Sequence, residues 1–363
     1  MIRADLHIHS EYSSDGEFRV ADIVGKCAAG GVDLFSLTDH NTVRGLDEAC
    51  DGALQAGMEF VPGIEIDCSF EGTDLHLLGY GIDWKSPDFR TLEETVAAEV
   101  MASFGETVGK LRMLGFAVDE QAVLAAAAGK LPTMELIAEV MLSDPACDTP
   151  LLAPYREGGA RGDMPYINFY LDFGAQGRPA FVPVEYMSFR DAVELVRDNG
   201  GVPVVAHPGL NLRGRERIVE KLLERGAEGL EVFNNYHDDR QIAYFAPLVR
   251  RRGALMTCGS DFHGKTKPLI HIGRFGCDAR WESSLADSVA RLAKGGGKSG
   301  FGGASLFERD ESPPVGQAAG AVGIAALRRV DVAAGRTDQI AFRGVVCRSV
   351  RPTVFRTFCC SAF

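Results

Sequence analysis
At 363 residues, with 46% hydrophobic and 24% charged residues, the chain can bury a barrel-sized core plus additions and has the composition of a soluble globular enzyme. Its 38 basic and 50 acidic residues leave a formal charge of -12. That balance argues against a stable surface for duplex DNA or for an anionic membrane, either of which needs a basic field, but it leaves room for a small anion held through divalent cations.

No apolar run approaches the ~18 residues of a membrane span, and the N-terminus lacks a charged-then-apolar leader. The nine cysteines are scattered without a Cys-x-x-Cys pair. They read as reduced, mostly buried thiols, and the expected location is cytoplasmic.

The chain opens on Asp5-Leu6-His7-Ile8-His9-Ser10. Ile2, Ala4, Leu6 and Ile8 alternate with polar neighbours, the period of a strand with one buried face. His7 and His9 therefore point the same way, and two imidazoles side by side can grip one metal ion. A polar loop over Glu11–Glu17 and a helix to about Ala28 follow. A strand over Val32–Leu37 then ends in Thr38-Asp39-His40-Asn41. A helix over Arg44–Ala56 precedes strands at Glu59–Glu65 and Leu75–Tyr80. This alternation predicts parallel pairing in an α/β sheet or barrel.

At Ser86-Pro87 the pattern turns helical, with Ser86 as an N-cap and Pro87 in the first turn. Helices are expected over 92–114, 120–128 and 134–142, then a Pro/Gly/Asp-rich passage and a short helix near 167–173. Residues 86–184 thus read as a helical insertion between two segments of one body, 1–85 and 185–293. Alternation resumes with a capped helix from Ser188 and strands at 202–206, 229–233 and 254–258, the first and last ending in Ala206-His207-Pro208-Gly209 and Gly259-Ser260-Asp261-Phe262-His263. Residues 294–363 read as a linker and a poorly structured basic tail: positions 318–363 carry seven arginines, no lysine and two acids. Gly297-Lys298-Ser299 is not a phosphate loop, because that motif needs glycine where Leu292 stands.

Six of the eight histidines (7, 9, 40, 76, 207 and 263) fall in strands or at strand ends, with Asp15, Glu65 and Asp261 in similar places. Residues at the carboxyl ends of parallel strands converge in space. Any one of these histidines alone is compatible with a structural role. Nine such side chains placed alike point to a polynuclear metal site, and a carboxylate such as Glu65 can bridge two ions.

The motifs DLHIHS, YSSDG, LTDHN, GIE, HLLGY, AHPG and GSDFHG, in this order over about 1–84 and 186–275, resemble the polymerase and histidinol phosphatase (PHP) family. The resemblance implies a distorted (β/α)7, TIM-like barrel holding two to three divalent ions of manganese, zinc or iron. By that resemblance His7, His9, Glu65 and Asp261 hold a first ion. Glu65 bridges to a second with His76 and His207, and Asp15, His40 and His263 hold a third. Asp39 is placed behind the ligands, orienting one of them.

The implied function is phosphoester hydrolysis by a metal-bridging hydroxide, with no Ser, Cys or His nucleophile. Arg178, in Gly177-Arg178-Pro179, is the expected phosphate clamp. His237 is a second substrate contact and proton donor. Similar nucleotide phosphatases often follow Gly-Arg-Pro with histidine, where this chain has Ala180. The expected partner is a small phosphorylated metabolite, a nucleotide of the AMP or 3′,5′-bisphosphate type. Histidinol phosphatase, a 5′-to-3′ exoribonuclease on short RNA, and a non-catalytic or proofreading polymerase-associated module are the alternatives.

Overall fold
The structure is a computed structural model and describes residues 3–295. The expected linker and basic tail lie outside the described residues from 296 onward, while Lys294 and Gly295 continue the last helix.

In chain order the first half runs β1 (Ala4–Asp5), α1 (Val20–Gly30), β2 (Leu34–Phe35), α2 (Leu46–Ala56), β3 (Glu59–Phe60), β4 (Gly63–Phe70) and β5 (Thr73–Tyr80). The inserted segment carries α3 (Pro87–Met113), α4 (Glu120–Ala127), α5 (Met134–Ser143) and α6 (Pro165–Phe169). The remainder runs β6 (Met187–Ser188), α7 (Phe189–Asp198), β7 (Val202–Val205), α8 (Pro208–Asn211), α9 (Ile218–Glu224), β8 (Gly229–Phe233), α10 (Asp239–Arg252), β9 (Leu255–Cys258) and α11 (Glu282–Gly295).

The architecture is mixed α/β. One parallel sheet has the order β1-β2-β3, and a second has the order β6-β4-β5-β7-β8-β9. The expected (β/α)7 barrel is therefore not present as one closed ladder. Strand continuations nevertheless link the two sheets. Leu6 N donates to Cys258 O at 3.1 Å, His9 N to Phe262 O at 2.9 Å and Asp261 N to His7 O at 2.8 Å. Isolated bridges join Ile8 to Phe262 and His40 to Glu65.

Three expectations from the strand pattern need correction. The opening strand pairs regularly only at Ala4–Asp5, and residues 4–10 are buried on both faces, since apolar side chains enter the core on one side while His7 and His9 enter a buried polar cluster on the other. The single strand expected over Glu59–Glu65 is two strands in different sheets, broken at Pro62, which has no N–H to give a ladder. The expected parallel pairing fails at β4 and β5. They form an antiparallel hairpin, and β5 is also antiparallel to β7. The hairpin turns at Glu71 and Gly72, with φ of 49° and 73°, the left-handed pair that a two-residue turn between twisted strands requires. Its register sets Asp67 directly opposite His76 and leaves Glu65 two residues away on the same face.

Ser86 accepts from Asp88 N with Pro87 at the first helical position of α3, as the sequence predicts. The short helix expected near 167–173 is α6 followed by a wider turn over Tyr170–Gly174. Two apolar clusters result. One packs both sheets against α1, α2, α7, α9, α10 and α11, and the other gathers Phe104, Val108, Leu111, Phe116, Ile137, Met141, Phe169 and Ala180 within the inserted segment.

Candidate metal centre
Glu65, fully buried in β4, sits where these strand ends meet. Its Oε1 lies 3.0 Å from His76 Nδ1 and 2.9 Å from His207 Nε2. Its Oε2 lies 3.0 Å from His7 Nε2, 3.1 Å from His9 Nε2 and 3.5 Å from His40 Nε2. The two oxygens of one carboxylate thus face two different sets of imidazoles. Asp261 Oδ1 joins the second set at 3.3 Å from His7 and 3.2 Å from His9. Asp15 Oδ2 lies 3.0 Å from His263 Nε2 and 3.9 Å from His40 Nε2.

Each of the six histidines turns one ring nitrogen toward this cluster, and the other is met from behind. His7 Nδ1 faces Glu231 at 3.1 Å, His9 Nδ1 faces Ser13 at 3.4 Å, and His207 Nδ1 faces Asn211 at 2.6 Å. His263 Nδ1 donates to Asp261 O at 2.9 Å. His40 Nδ1 and His76 Nε2 both face Asp67 Oδ1, at 3.2 and 3.4 Å. A partner that takes one N–H leaves the opposite nitrogen's lone pair for a metal, so the bonds at His7, His9, His207 and His263 favour a ligating tautomer.

The donor set fits divalent cations on two further observations. Asp261 Oδ1 and His263 Nε2 are buried and have no hydrogen-bond partner, a cost that a cation would remove. Among the described residues the donors fall into four compact groups: His7, His9, Glu65 and Asp261; Glu65, His76 and His207; and Asp15, His40 and His263 together with His9 match the ion positions implied by the family resemblance, while a fourth, His40, Asp67 and His76, has no counterpart there. Imidazole mixed with carboxylate suits zinc, manganese or iron.

Protonation follows burial and charge. Burial opposes the cationic form of His7, yet the Glu65, Glu231 and Asp261 carboxylates outweigh it and hold its pKa well above the ordinary value. Burial, with the neighbouring His263 and His40 rings opposing a further positive charge, lowers His9 to about 4. Burial likewise opposes the charged form of Glu65, but His7, His40 and His76 keep it ionised far below the usual carboxylate range.

The backbone is tense at the same points. His207 and Asp261 have φ of 22° and 58°, a region costly for non-glycine residues and one that clusters at functional sites. Gly259 is required by close approach, since a Cβ there would lie 2.2 Å from His7 Cβ and 2.8 Å from a Glu231 oxygen.

Asp39, expected behind the ligands, touches none of the six imidazoles. Its oxygens accept from Ser10 N at 2.6 Å and Ser10 Oγ at 2.7 Å, so it anchors the backbone beside His9, and burial raises it to about 6. Arg178 is exposed on the turn after α6, and no contact among the described residues joins its guanidinium to the cluster. Ala180 is buried in the apolar cluster of the inserted segment, facing away from polar chemistry.

His237 needs correction as a proton donor. Its Nδ1 donates to Val232 O at 2.9 Å and its Nε2 accepts from Gly209 N at 2.8 Å, so both nitrogens are committed to backbone. The sequence placed it after a strand, and only the fold shows that it turns back under that strand.

The sequence reading also missed Glu231, Asp67, Asp5 and the pair Lys267 and Tyr236. Glu231 also accepts from His207 N at 2.8 Å. Asp5 accepts from Ser260 N at 2.9 Å and Gly273 N at 2.7 Å, tying the first strand to the last loop. Lys267 Nζ meets Asp261 Oδ2 at 2.6 Å, and the Tyr236 hydroxyl donates to the same oxygen. A signal existed for two of them: Glu231 is an acid inside the apolar run Gly229–Phe233, and Asp67 stands two residues beyond Glu65.

This largely buried cluster of imidazoles and carboxylates is a candidate metal-binding centre. A family model described as "PHP domain" matches residues 5–137, so this part of the chain is similar to that family. It is 28% identical over 269 residues to a 3′,5′-nucleoside bisphosphate phosphatase of Chromobacterium violaceum, covering 72% of this chain and 88% of that one. It is 29% identical over 272 residues to a phosphoribosyl 1,2-cyclic phosphate 1,2-diphosphodiesterase of Eggerthella lenta, covering 74% and 97%. Among solved structures, an amidohydrolase from Chromobacterium violaceum with bound sulfate matches with a TM-score of 0.62 at 25% identity, covering 78% and 96%.

Burial lowers His237 from 6.5 to about 4, so the stability it contributes is complete above pH 6.5 and is lost as pH falls toward 4. The shift corresponds to on the order of 3 kcal/mol. His237→Asn should be less stable than wild type at pH 7 but should lose less on going to pH 4.5, as measured by urea unfolding. Equal losses in the two proteins would contradict this account.

Proposed function
We propose that this chain is a metal-dependent phosphoesterase acting on a small phosphomonoester of the nucleotide type. The observation that carries the reading is Glu65, whose two oxygens face separate imidazole sets within 3.0–3.1 Å and 2.9–3.0 Å. That is the arrangement of a carboxylate bridging two cations. His7, His9 and Asp261 would complete one position, His76 and His207 a second, and Asp15, His40 and His263 a third. Divalent ions there supply Lewis acidity toward phosphoryl oxygens and acidify a coordinated water, with manganese, zinc and iron all compatible with the donors.

The chain's own residues do the rest. Glu231, Ser13, Asn211 and Asp67 hold the imidazoles in their ligating orientation. Lys267 and Tyr236 occupy the outer oxygen of Asp261, leaving Oδ1 for the cluster. Within the cluster His7, His9, Glu65, Asp261 and His263 are shut off from solvent, whereas the Asp15, His40, Asp67 and His76 side chains keep 14%, 19%, 15% and 28% of their surface exposed. Substrate would enter on that side.

The strand continuations linking the two sheets support reading them as one distorted barrel with residues 86–184 inserted. Arg178 lies on the turn whose Gln176 amide reaches Gly72 O at 2.9 Å, at the tip of the β4–β5 hairpin, and is the proposed phosphate clamp. Among the described residues no helix is long and apolar enough to cross a membrane.

The similar cyclic-phosphate diphosphodiesterase favours a second reading, a phosphodiester substrate. The deciding experiment measures phosphate release or cleavage from AMP, adenosine 3′,5′-bisphosphate, histidinol phosphate, a ribose 1,2-cyclic phosphate and a short RNA, each with added Mn²⁺. Turnover of a nucleotide monoester above the others supports the leading reading, and no turnover of any phosphoester by metal-loaded protein removes it. Glu65→Gln should lower metal content at two positions together, read by elemental analysis after purification; an unchanged count would contradict bridging. Arg178→Ala should raise KM about tenfold with metal content unchanged, the loss of one charge-assisted contact of ~1.4 kcal/mol. Kinetics untouched by the change would remove Arg178 from the clamp.

A further inference from the structure
We propose that Asp67 is a positioning residue shared by two metal positions, tying the occupancy of one to that of the other. The inference rests on the metal-centre reading above and concerns a residue outside its ligand set.

Asp67 lies in β4 two residues beyond Glu65, so both carboxylates leave the same face of the strand. Antiparallel register puts it directly opposite His76. Its Oδ1 lies 3.4 Å from His76 Nε2 and 3.2 Å from His40 Nδ1. The opposite nitrogens of those two rings face Glu65: His76 Nδ1 at 3.0 Å from Oε1 and His40 Nε2 at 3.5 Å from Oε2. One oxygen therefore stands behind two imidazoles that serve different ions, His76 for the second position and His40 for the third.

The carboxylate is itself immobilised. Asn41 Nδ2 donates to Asp67 Oδ2 at 2.8 Å, and Asp67 N donates to Asn41 Oδ1 at 2.9 Å. Asn41 follows His40 directly and adopts φ of 54°, a left-handed conformation that asparagine tolerates better than most residues. The reciprocal pair holds the His40 turn against the hairpin, so the three side chains move as one body.

The energetic consequence is a coupling. An ion on the inner nitrogen of either ring makes the outer N–H more acidic and strengthens its attraction to Asp67. Because the carboxylate is fixed by Asn41, the ring turns onto it, and the shared oxygen carries the resulting polarisation to the other ring. In the present geometry neither His40 Nδ1 nor Asp67 Oδ1 has a hydrogen-bond partner although the two are 3.2 Å apart, so a small ring rotation completes the contact. Removing such an outer partner costs roughly 10- to 100-fold in metal affinity.

The test is a metal titration of chelator-treated protein, by calorimetry with Mn²⁺ or Zn²⁺ and by elemental analysis of the loaded form. Wild type, Asp67→Asn (an acceptor oxygen retained, the charge removed) and Asp67→Ala are compared, with thermal unfolding of each metal-free protein as a check on folding. In Asp67→Ala two equivalents should weaken together by roughly 10- to 100-fold, the tightest equivalent should keep its affinity, and Asp67→Asn should fall between. Unchanged affinities, or equal weakening of every equivalent, would overturn the proposal. So would a fully loaded count that drops by one ion in Asp67→Ala with the other affinities intact, which would make Asp67 a ligand. Wild type that takes up no divalent ion would instead remove the metal-centre reading beneath it.

Discussion
Glu65 is the constraint on which the rest of the structure depends. A carboxylate with no solvent exposure is tolerated only when charge or hydrogen bonds surround it, and here five imidazoles do so. Those imidazoles come from the opening segment, the turn after β2, β5 and the turn after β7. None can relax alone, because each also shares Glu65 with the others. The resulting body is polar at its centre and apolar around it, and the apolar shell keeps water from screening the cluster.

Holding six histidines in one place is mostly work done from behind. Glu231 grips His7 by its ring and His207 by its backbone, so one side chain in β8 sets two histidines from distant parts of the chain. Asp5 ties the first strand to the loop that carries Asp261. Asp67 Oδ1 lies close to both His40 and His76, at 3.2 and 3.4 Å. Gly259 is the steric counterpart of these bonds, because any side chain there would displace His7 and Glu231 together.

Residues 104–180 carry an apolar cluster of their own, yet this segment also reaches the loops that flank the candidate metal centre. Lys130 Nζ donates to Ser13 O at 3.3 Å and Gly16 O at 3.2 Å, beside Asp15, and Lys265 pairs with Glu139 of α5 at 2.6 Å. Gln176 does the same at the hairpin tip. The segment is thus placed to shape what approaches the exposed side of the cluster. Ala180 turns into its apolar interior and supplies no polar group there.

The donor set of the candidate centre was legible in the sequence. Six histidines and three acids at strand ends are legible because strand period and strand–helix alternation dictate which side chains share a face and an end, and the order of the short motifs pointed to the PHP domain. Tertiary structure alone decided the rest. Pro62 divides a strand between two sheets, the Glu71-Gly72 turn makes an antiparallel hairpin where alternation predicts parallel pairing, and His237 folds back onto backbone instead of facing the cluster. The groups that stand behind the histidines were at most hinted at, by an acid inside the apolar run Gly229–Phe233 and by Asp67 two residues beyond Glu65, for the same reason. A metal ligand is recognised by its residue type and local spacing, whereas a residue that orients it is defined by a partner as far as 224 positions away in the chain, as His7 and Glu231 are, and only the fold brings them within 3.1 Å.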